Sequence, residues 1–152
     1  MADDGQKHAV LQLTVSAVWD GDSLRSGDLR LRLHGIDAPE KKQSCSDAQG
    51  QSYPCGEQSR DMLASLLPAD GKLTCQLRDV DRYRRLIVLC YAEHRTSQSG
   101  LSINEQMIAS GWALAYRRYA PEFISIEAQA SADKKGMWQG RFMRPEDWRR
   151  QN

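Results

Sequence analysis

Nine consecutive residues, Arg32-Leu33-His34-Gly35-Ile36-Asp37-Ala38-Pro39-Glu40, bring together an arginine, two carboxylates and a proline. Carboxylate oxygens are the ligands that hard divalent cations prefer, and a guanidinium grips phosphate oxygens in pairs. Asp22, in the run Asp20-Gly21-Asp22-Ser23, adds a third carboxylate, and Arg85 adds a second arginine. Two arginines can neutralise charge that builds on phosphate oxygens during displacement. As a set, these residues are a candidate for metal-assisted phosphodiester chemistry. Taken singly, they read as turn-forming aspartates and solvated surface groups. The acidic residues are too far apart for a single calcium-binding loop of the EF-hand kind.

The elements that must position them follow from periodicity. Leu29-Arg30-Leu31-Arg32-Leu33 alternates, so a strand carries leucines on one face and Arg30 and Arg32 on the other. Pro39 forbids further pairing, which leaves Asp37 and Glu40 at the strand exit. Leu11 to Trp19 reads as a first strand, and Leu24 opens a short second one. Ser26-Gly27-Asp28 is a hairpin turn into the third. Lys72 to Leu77 and Arg85 to Ala92 are the fourth and fifth strands. Helices are expected from Glu57 to Leu67, around Leu101 to Ile108, and from Pro121 to Gly136. Pro145-Glu146-Asp147-Trp148 forms a final short anchor. The fold class expected is α+β, mainly β: a five-stranded OB-fold barrel with three helices. Residues 1–152 form a single domain, with a core over about 11–140 and a C-terminal anchor over 141–152.

Composition narrows the classes. Apolar residues at 40% and charged residues at 27% describe an ordinary globular chain, and no apolar run reaches membrane-spanning length. The net charge of +1 supplies no general attraction to a polyanion, so any such attraction comes from local clusters. Arg82, Arg84 and Arg85 form one cluster; Arg117 and Arg118 form another. Arg141, Arg144, Arg149 and Arg150 read as solvated arginines on a mixed surface. The four cysteines have no metal-knuckle spacing. Their positions favour the pairs Cys45–Cys55 and Cys75–Cys90, with two other connectivities formally open. Disulfides imply an oxidising compartment, so the expected location is secreted or periplasmic, with any signal peptide left out of this sequence.

The chain resembles the staphylococcal nuclease (thermonuclease) family from about Val15 to Trp138. The resemblance rests on Asp20-Gly21-Asp22-Ser23, on Arg32 to Glu40, and on Asp81-Arg82-Tyr83-Arg84-Arg85. Gly111-Trp112-Ala113, Glu127-Ala128 and Gly136-Met137-Trp138 follow in the right order. It implies an OB-fold nuclease that uses Ca²⁺ to hydrolyse DNA and RNA with little sugar specificity, leaving 3′-phosphates. By position, Asp22 and Asp37 would be metal ligands, with the backbone carbonyl of Ala38 beside them. Glu40 would meet the metal through water and act as general base. Arg32 would bind the scissile phosphate and Arg85 would stabilise the transition state. Arg82 and Tyr83 would contact a neighbouring phosphate, and Tyr116 or Tyr119 would stack near a base. The expected partners are DNA and RNA, single-stranded or locally melted, with no membrane or obligate protein partner, for a monomer.

Three departures from the family pattern stand out. Ser23 replaces a usual Thr, Arg84 replaces a usual Gly, and the loop after Glu40 is long and carries two cysteines. If that Gly adopts positive φ, Arg84 carries strain. The alternative reading is a catalytically impaired nucleic-acid-binding module on the same fold.

Overall fold

The computed structural model describes residues 8–92, 100–116, 118 and 121–152; Tyr119 and Arg117 lie outside them. The chain opens with β1 (Val10–Thr14), β2 (Ala17–Asp20), β3 (Ser23–Ser26), β4 (Leu29–Leu33) and a short β5 (Ile36–Asp37). A small hairpin, β6 (Cys45–Ser46) and β7 (Ser52–Tyr53), precedes α1 (Cys55–Leu66). Then come the long pair β8 (Lys72–Val80) and β9 (Leu86–Ala92), followed by α2 (Ile103–Ala109) and β10 (Leu114–Ala115). The chain finishes with a 3₁₀ turn (Pro121–Phe123), α3 (Ile124–Ala132), a second 3₁₀ turn (Gly136–Gln139) and α4 (Pro145–Gln151).

The α+β, mainly β expectation holds, with two corrections to the count. The stretch expected as one first strand is broken at Val15 and Ser16. There the Val15 N–H donates to Gly71 O (2.9 Å) and the Ser16 N–H to Arg25 O (2.7 Å). One segment thus pairs with β8 and the other with β3, which gives a six-stranded sheet in the order β1-β8-β9-β4-β3-β2. Among the described residues no ladder joins β1 to β2, so the expected barrel is not closed: the sheet is open, and chain continuity alone crosses the seam. The second correction is a fourth helix: the expected C-terminal anchor is α4, begun by Pro145 at its first turn.

The alternation in β4 does what its pattern dictates. Leu31 and Leu33 are fully buried, while Leu29 at the strand entrance is exposed. Parallel pairing with β9 sets Leu31, Arg32 and Leu33 against Leu86, Ile87 and Val88. With Leu24, Ile36, Leu63, Leu73, Ile103 and Met107 these leucines form the core, each contributing about 2 kcal/mol by removal from water. Buried Asn104 on α2 holds the end of β4. Its side chain accepts from Cys90 N–H (3.0 Å) and donates to His34 O (2.9 Å) and Val88 O (3.0 Å). Antiparallel pairing of Leu114 with Asp37 then fixes β5, whose exit carries the candidate carboxylates. No helix among the described residues is long and apolar enough to cross a membrane.

Both expected disulfides form, Cys45–Cys55 and Cys75–Cys90. The second joins directly opposed residues of β8 and β9, both fully buried. Closing a loop of that length constrains the unfolded chain by about 3 kcal/mol. Replacing both cysteines (C75A/C90A) should therefore lower the unfolding free energy by about 3 kcal/mol in denaturant titrations; a loss under about 1 kcal/mol would contradict this.

Candidate active site

The site is assembled around the Asp22 carboxylate. It sits in the β2–β3 turn, buried, and accepts from Ala38 N–H (2.8 Å) and the Ser23 hydroxyl (3.0 Å). Its backbone carbonyl accepts from Leu33 N–H (2.9 Å). The Arg32 guanidinium lies 3.1 Å from Asp22 Oδ2 and 3.8 Å from Asp37 Oδ1, and donates to Ile36 O (3.1 Å). Burial alone would raise the pKa of Asp22. Arg32, with hydrogen bonds from Asp20, Ala38 and Ser23, holds it below the ordinary value. Asp37 is raised by burial and by the Asp22 charge, despite arginines beside it.

Asp20, which in the sequence stands only as part of the Asp20-Gly21-Asp22-Ser23 turn, is a fourth member. Burial first, then the charge of Asp22, push its pKa up to about 8, with Glu40 adding to the repulsion. One of its oxygens, Oδ1, is buried without a hydrogen-bond partner. The spacing in Asp20-Gly21-Asp22 was the available signal, since both flank one turn.

The residue missed altogether is Arg149. It reaches in from α4, placing Nη1 3.1 Å from Asp37 Oδ1 and 3.2 Å from Glu40 Oε2, with Nη2 3.4 Å from Asp37 Oδ2. Burial opposes its charge, but Asp37 and Glu40 more than compensate, so it stays protonated. The expectation that Arg149 is merely a solvated arginine is therefore corrected. No local pattern announces a contact that spans 112 positions of sequence.

The wall around Glu40 is rigid. Gln43 is buried; its Oε1 accepts from Glu40 N–H (3.3 Å) and its Nε2 donates to Met143 O (2.8 Å). Gly56, beside the Cys45–Cys55 disulfide, packs so closely that a Cβ there would run into the carbonyl oxygen of Glu40. The cysteines of the long loop thus brace the carboxylate side of the site.

Arg85 belongs to a second cluster. Its Nε donates to Asp81 Oδ2 (2.7 Å), while Asp81 Oδ1 accepts from the N–H groups of Tyr83 and Arg85 (2.9 Å each). Asp81 therefore shapes the whole turn. Arg84 has φ of 66°, so the strain expected from its replacing glycine is present. Arg82 stacks 5.0 Å and Arg85 5.7 Å from the Tyr83 ring centroid, and Tyr83 is exposed. Arg32 and Arg85 share one cavity of about 520 Å³ with His34, Arg78, Asp81 and Tyr116. Tyr116 also lines a neighbouring groove with Asp37, Arg118 and Arg144. The two arginines are thus brought to one hollow, with Arg32 joining it to the carboxylates; Arg82 and Tyr83 are exposed on the turn beside Arg85 and do not line it.

A family model described as staphylococcal nuclease homologue matches residues 30–140. The chain belongs to that family. The matched stretch contains Arg32, Asp37, Glu40 and Arg85 and leaves Asp20, Asp22 and Arg149 outside it. Among relatives of this staphylococcal nuclease homologue, an uncharacterized endonuclease of Escherichia coli is 34% identical over 130 residues, 82% of this chain and 74% of the relative. The succinoglycan biosynthesis protein ExoI of Rhizobium meliloti is 30% identical over 81% of this chain and 62% of its own length. A probable staphylococcal-like nuclease of Oryza sativa subsp. japonica is 31% identical over 86% of this chain. This chain spans only 35% of that rice protein.

Two outcomes follow from these geometries. Replacing Arg84 by glycine relieves a left-handed backbone and should stabilise the protein by about 1 kcal/mol, measured by denaturant titration; destabilisation would contradict the strain. Asp20 in the folded chain titrates at about 8, above its ordinary 3.8, so its contribution to stability is full below 3.8 and lost as pH rises through about 8. From about pH 5 to about pH 8 the wild type should lose at least about 1 kcal/mol relative to D20N. Parallel pH–stability curves would refute the raised value.

Proposed function

We propose that this chain is a calcium-dependent phosphodiesterase that hydrolyses DNA and RNA with little sugar specificity, leaving 3′-phosphates. The observation carrying this reading is Arg32, which touches the Asp22 and Asp37 carboxylates while lining the same basic cavity as Arg85. A carboxylate centre and a phosphate-gripping pair therefore meet at one side chain. The nuclease names of several relatives point the same way.

The donor types suit a hard cation: Asp22, Asp37 and Glu40 offer carboxylate oxygens, and the buried Asp20 Oδ1 lacks a partner that a cation or its water would supply. As they stand, no three acidic, histidine or cysteine side chains among the described residues are gathered closely enough to hold an ion. Asp22 and Asp37, with the Ala38 carbonyl, would hold Ca²⁺, and Glu40 would meet it through water. When bound there, the ion would polarise the phosphate and offset charge on its oxygens. Arg32 and Arg85 bind the scissile phosphate from the cavity side and stabilise charge on its equatorial and leaving oxygens. Glu40 takes the proton from the attacking water, its backbone held in place by the hydrogen bond of its N–H to Gln43. Arg82 and Tyr83 on the turn beside Arg85 contact a neighbouring phosphate, and Tyr116 stacks near a base; Tyr119 would serve as its alternative. Single-stranded or locally melted substrate suits a cavity of this size, since a base must leave its stack to reach Tyr116. Two disulfides support a secreted or periplasmic, oxidising setting, and the chain is proposed to act as a monomer.

Plasmid and RNA digestion, with Ca²⁺ and with EDTA, tests the reading. EDTA should abolish cleavage, and Glu40→Ala or Arg85→Ala should each reduce the rate by at least about 100-fold, the range expected for a general base or a charge-stabilising donor. Cleavage indifferent to EDTA would sink the mechanism. Tight binding of single-stranded DNA without turnover would instead identify a binding module.

A further inference from the structure

Arg149 does more than decorate the surface of α4. Its Nη1 sits 3.1 Å from Asp37 and 3.2 Å from Glu40, the two carboxylates at the β5 exit. Among the described residues no three acidic, histidine or cysteine side chains are gathered closely enough to hold an ion as they stand. A calcium ion at ordinary bonding distance from Asp37 Oδ1 would lie within about 6 Å of that guanidinium nitrogen. Both cations would draw on the same oxygen lone pairs in a half-buried setting, where their repulsion is only partly screened.

The helix that carries Arg149 is weakly held. It has seven residues, too few to be stable alone, and Pro145 is its buried residue. Trp148 and Asp147 N–H groups bond back only to Arg144 within the same segment. Arg149 keeps 39% of its side chain exposed, so it enters from the solvent side and has a way out. Its neighbour Arg150 pairs with Asp147, at 3.7 Å, and is mostly exposed.

We propose that Arg149 is an intramolecular counterion that occupies the cation position, so that divalent-ion binding requires Arg149, and α4 with it, to withdraw from Asp37 and Glu40. The C-terminal helix thereby acts as a metal-responsive cover on the carboxylate centre. This rests on the reading of Asp22, Asp37 and Glu40 as a Ca²⁺ site, but not on turnover.

The test uses the whole chain as wild type, R149Q, R149K and, as a control, R150Q. Each is first checked for folding by thermal denaturation. Ca²⁺ affinity is measured by calorimetry without nucleic acid, and hydrogen exchange of residues 145–151 is followed with and without saturating Ca²⁺. R149Q should bind Ca²⁺ at least tenfold more tightly than wild type. R149K, which keeps the charge, and R150Q should both stay within threefold of it. Exchange in α4 should quicken when Ca²⁺ saturates the wild type. Equal or weaker binding by R149Q, an R149K as tight as R149Q, no Ca²⁺ binding by any variant, or α4 protection indifferent to Ca²⁺ would each overturn the proposal. Tighter binding by R149Q with no cleavage of DNA or RNA would uphold this inference and remove the nuclease reading instead.

Discussion

A buried carboxylate must be paired, and that requirement at Asp22 organises this molecule's functional end. One side chain ties the β2–β3 turn to the β5 exit through Ala38, and to β4 through Arg32. The same contacts draw Asp20, Asp37 and Glu40 toward a common centre, where their charges repel one another. The protonated state of Asp20 relieves part of that repulsion, and the guanidinium groups relieve more. The arrangement is therefore stable only with positive charge in it. Here Arg32 and Arg149 supply that charge.

Rigidity is unevenly shared between the two halves. On the carboxylate side, the Cys45–Cys55 link, the close approach of Gly56 and the buried Gln43 leave the Glu40 backbone little freedom. Behind β4, the buried Asn104 side chain bonds three backbone groups, Cys90 N–H, His34 O and Val88 O, where the strand turns. The arginine side depends on one exposed turn, in which Asp81 hydrogen bonds offset a left-handed Arg84. Strain there is local and is held by the Asp81 carboxylate and by Arg30, which donates to Tyr83 O, whereas the acidic wall is braced from several directions.

Much of this was legible in the residues. Alternation placed Arg32 opposite the buried leucines, Pro39 ended the strand, and the cysteine positions pointed to the observed pairing. The substitution of arginine for glycine at position 84 foretold a strained φ. What could not be read was what depends on three-dimensional proximity. A break at Val15 and Ser16 has no composition signal, because both halves are good strand formers; only the pairing of Val15 with Gly71 and of Ser16 with Arg25 separates them. Arg149 sits in a segment of ordinary arginines, and nothing in their spacing distinguishes the one that meets Asp37. Nor does the sequence set Asp20 apart, because aspartates in turns so commonly satisfy their own backbone.

The hydrogen bond from Gln43 to Met143 gives the C-terminal segment a fixed root beside Glu40. Only a short stretch of chain separates that root from Arg149, so the guanidinium meets its carboxylates as an intramolecular partner. Its effective concentration is set by the tether, on the order of millimolar or above. Under the proposed metal reading, a dissolved cation would have to compete with a ligand that is never diluted. The ion concentration at which the site answers would then be set by the length of the link between Met143 and Arg149.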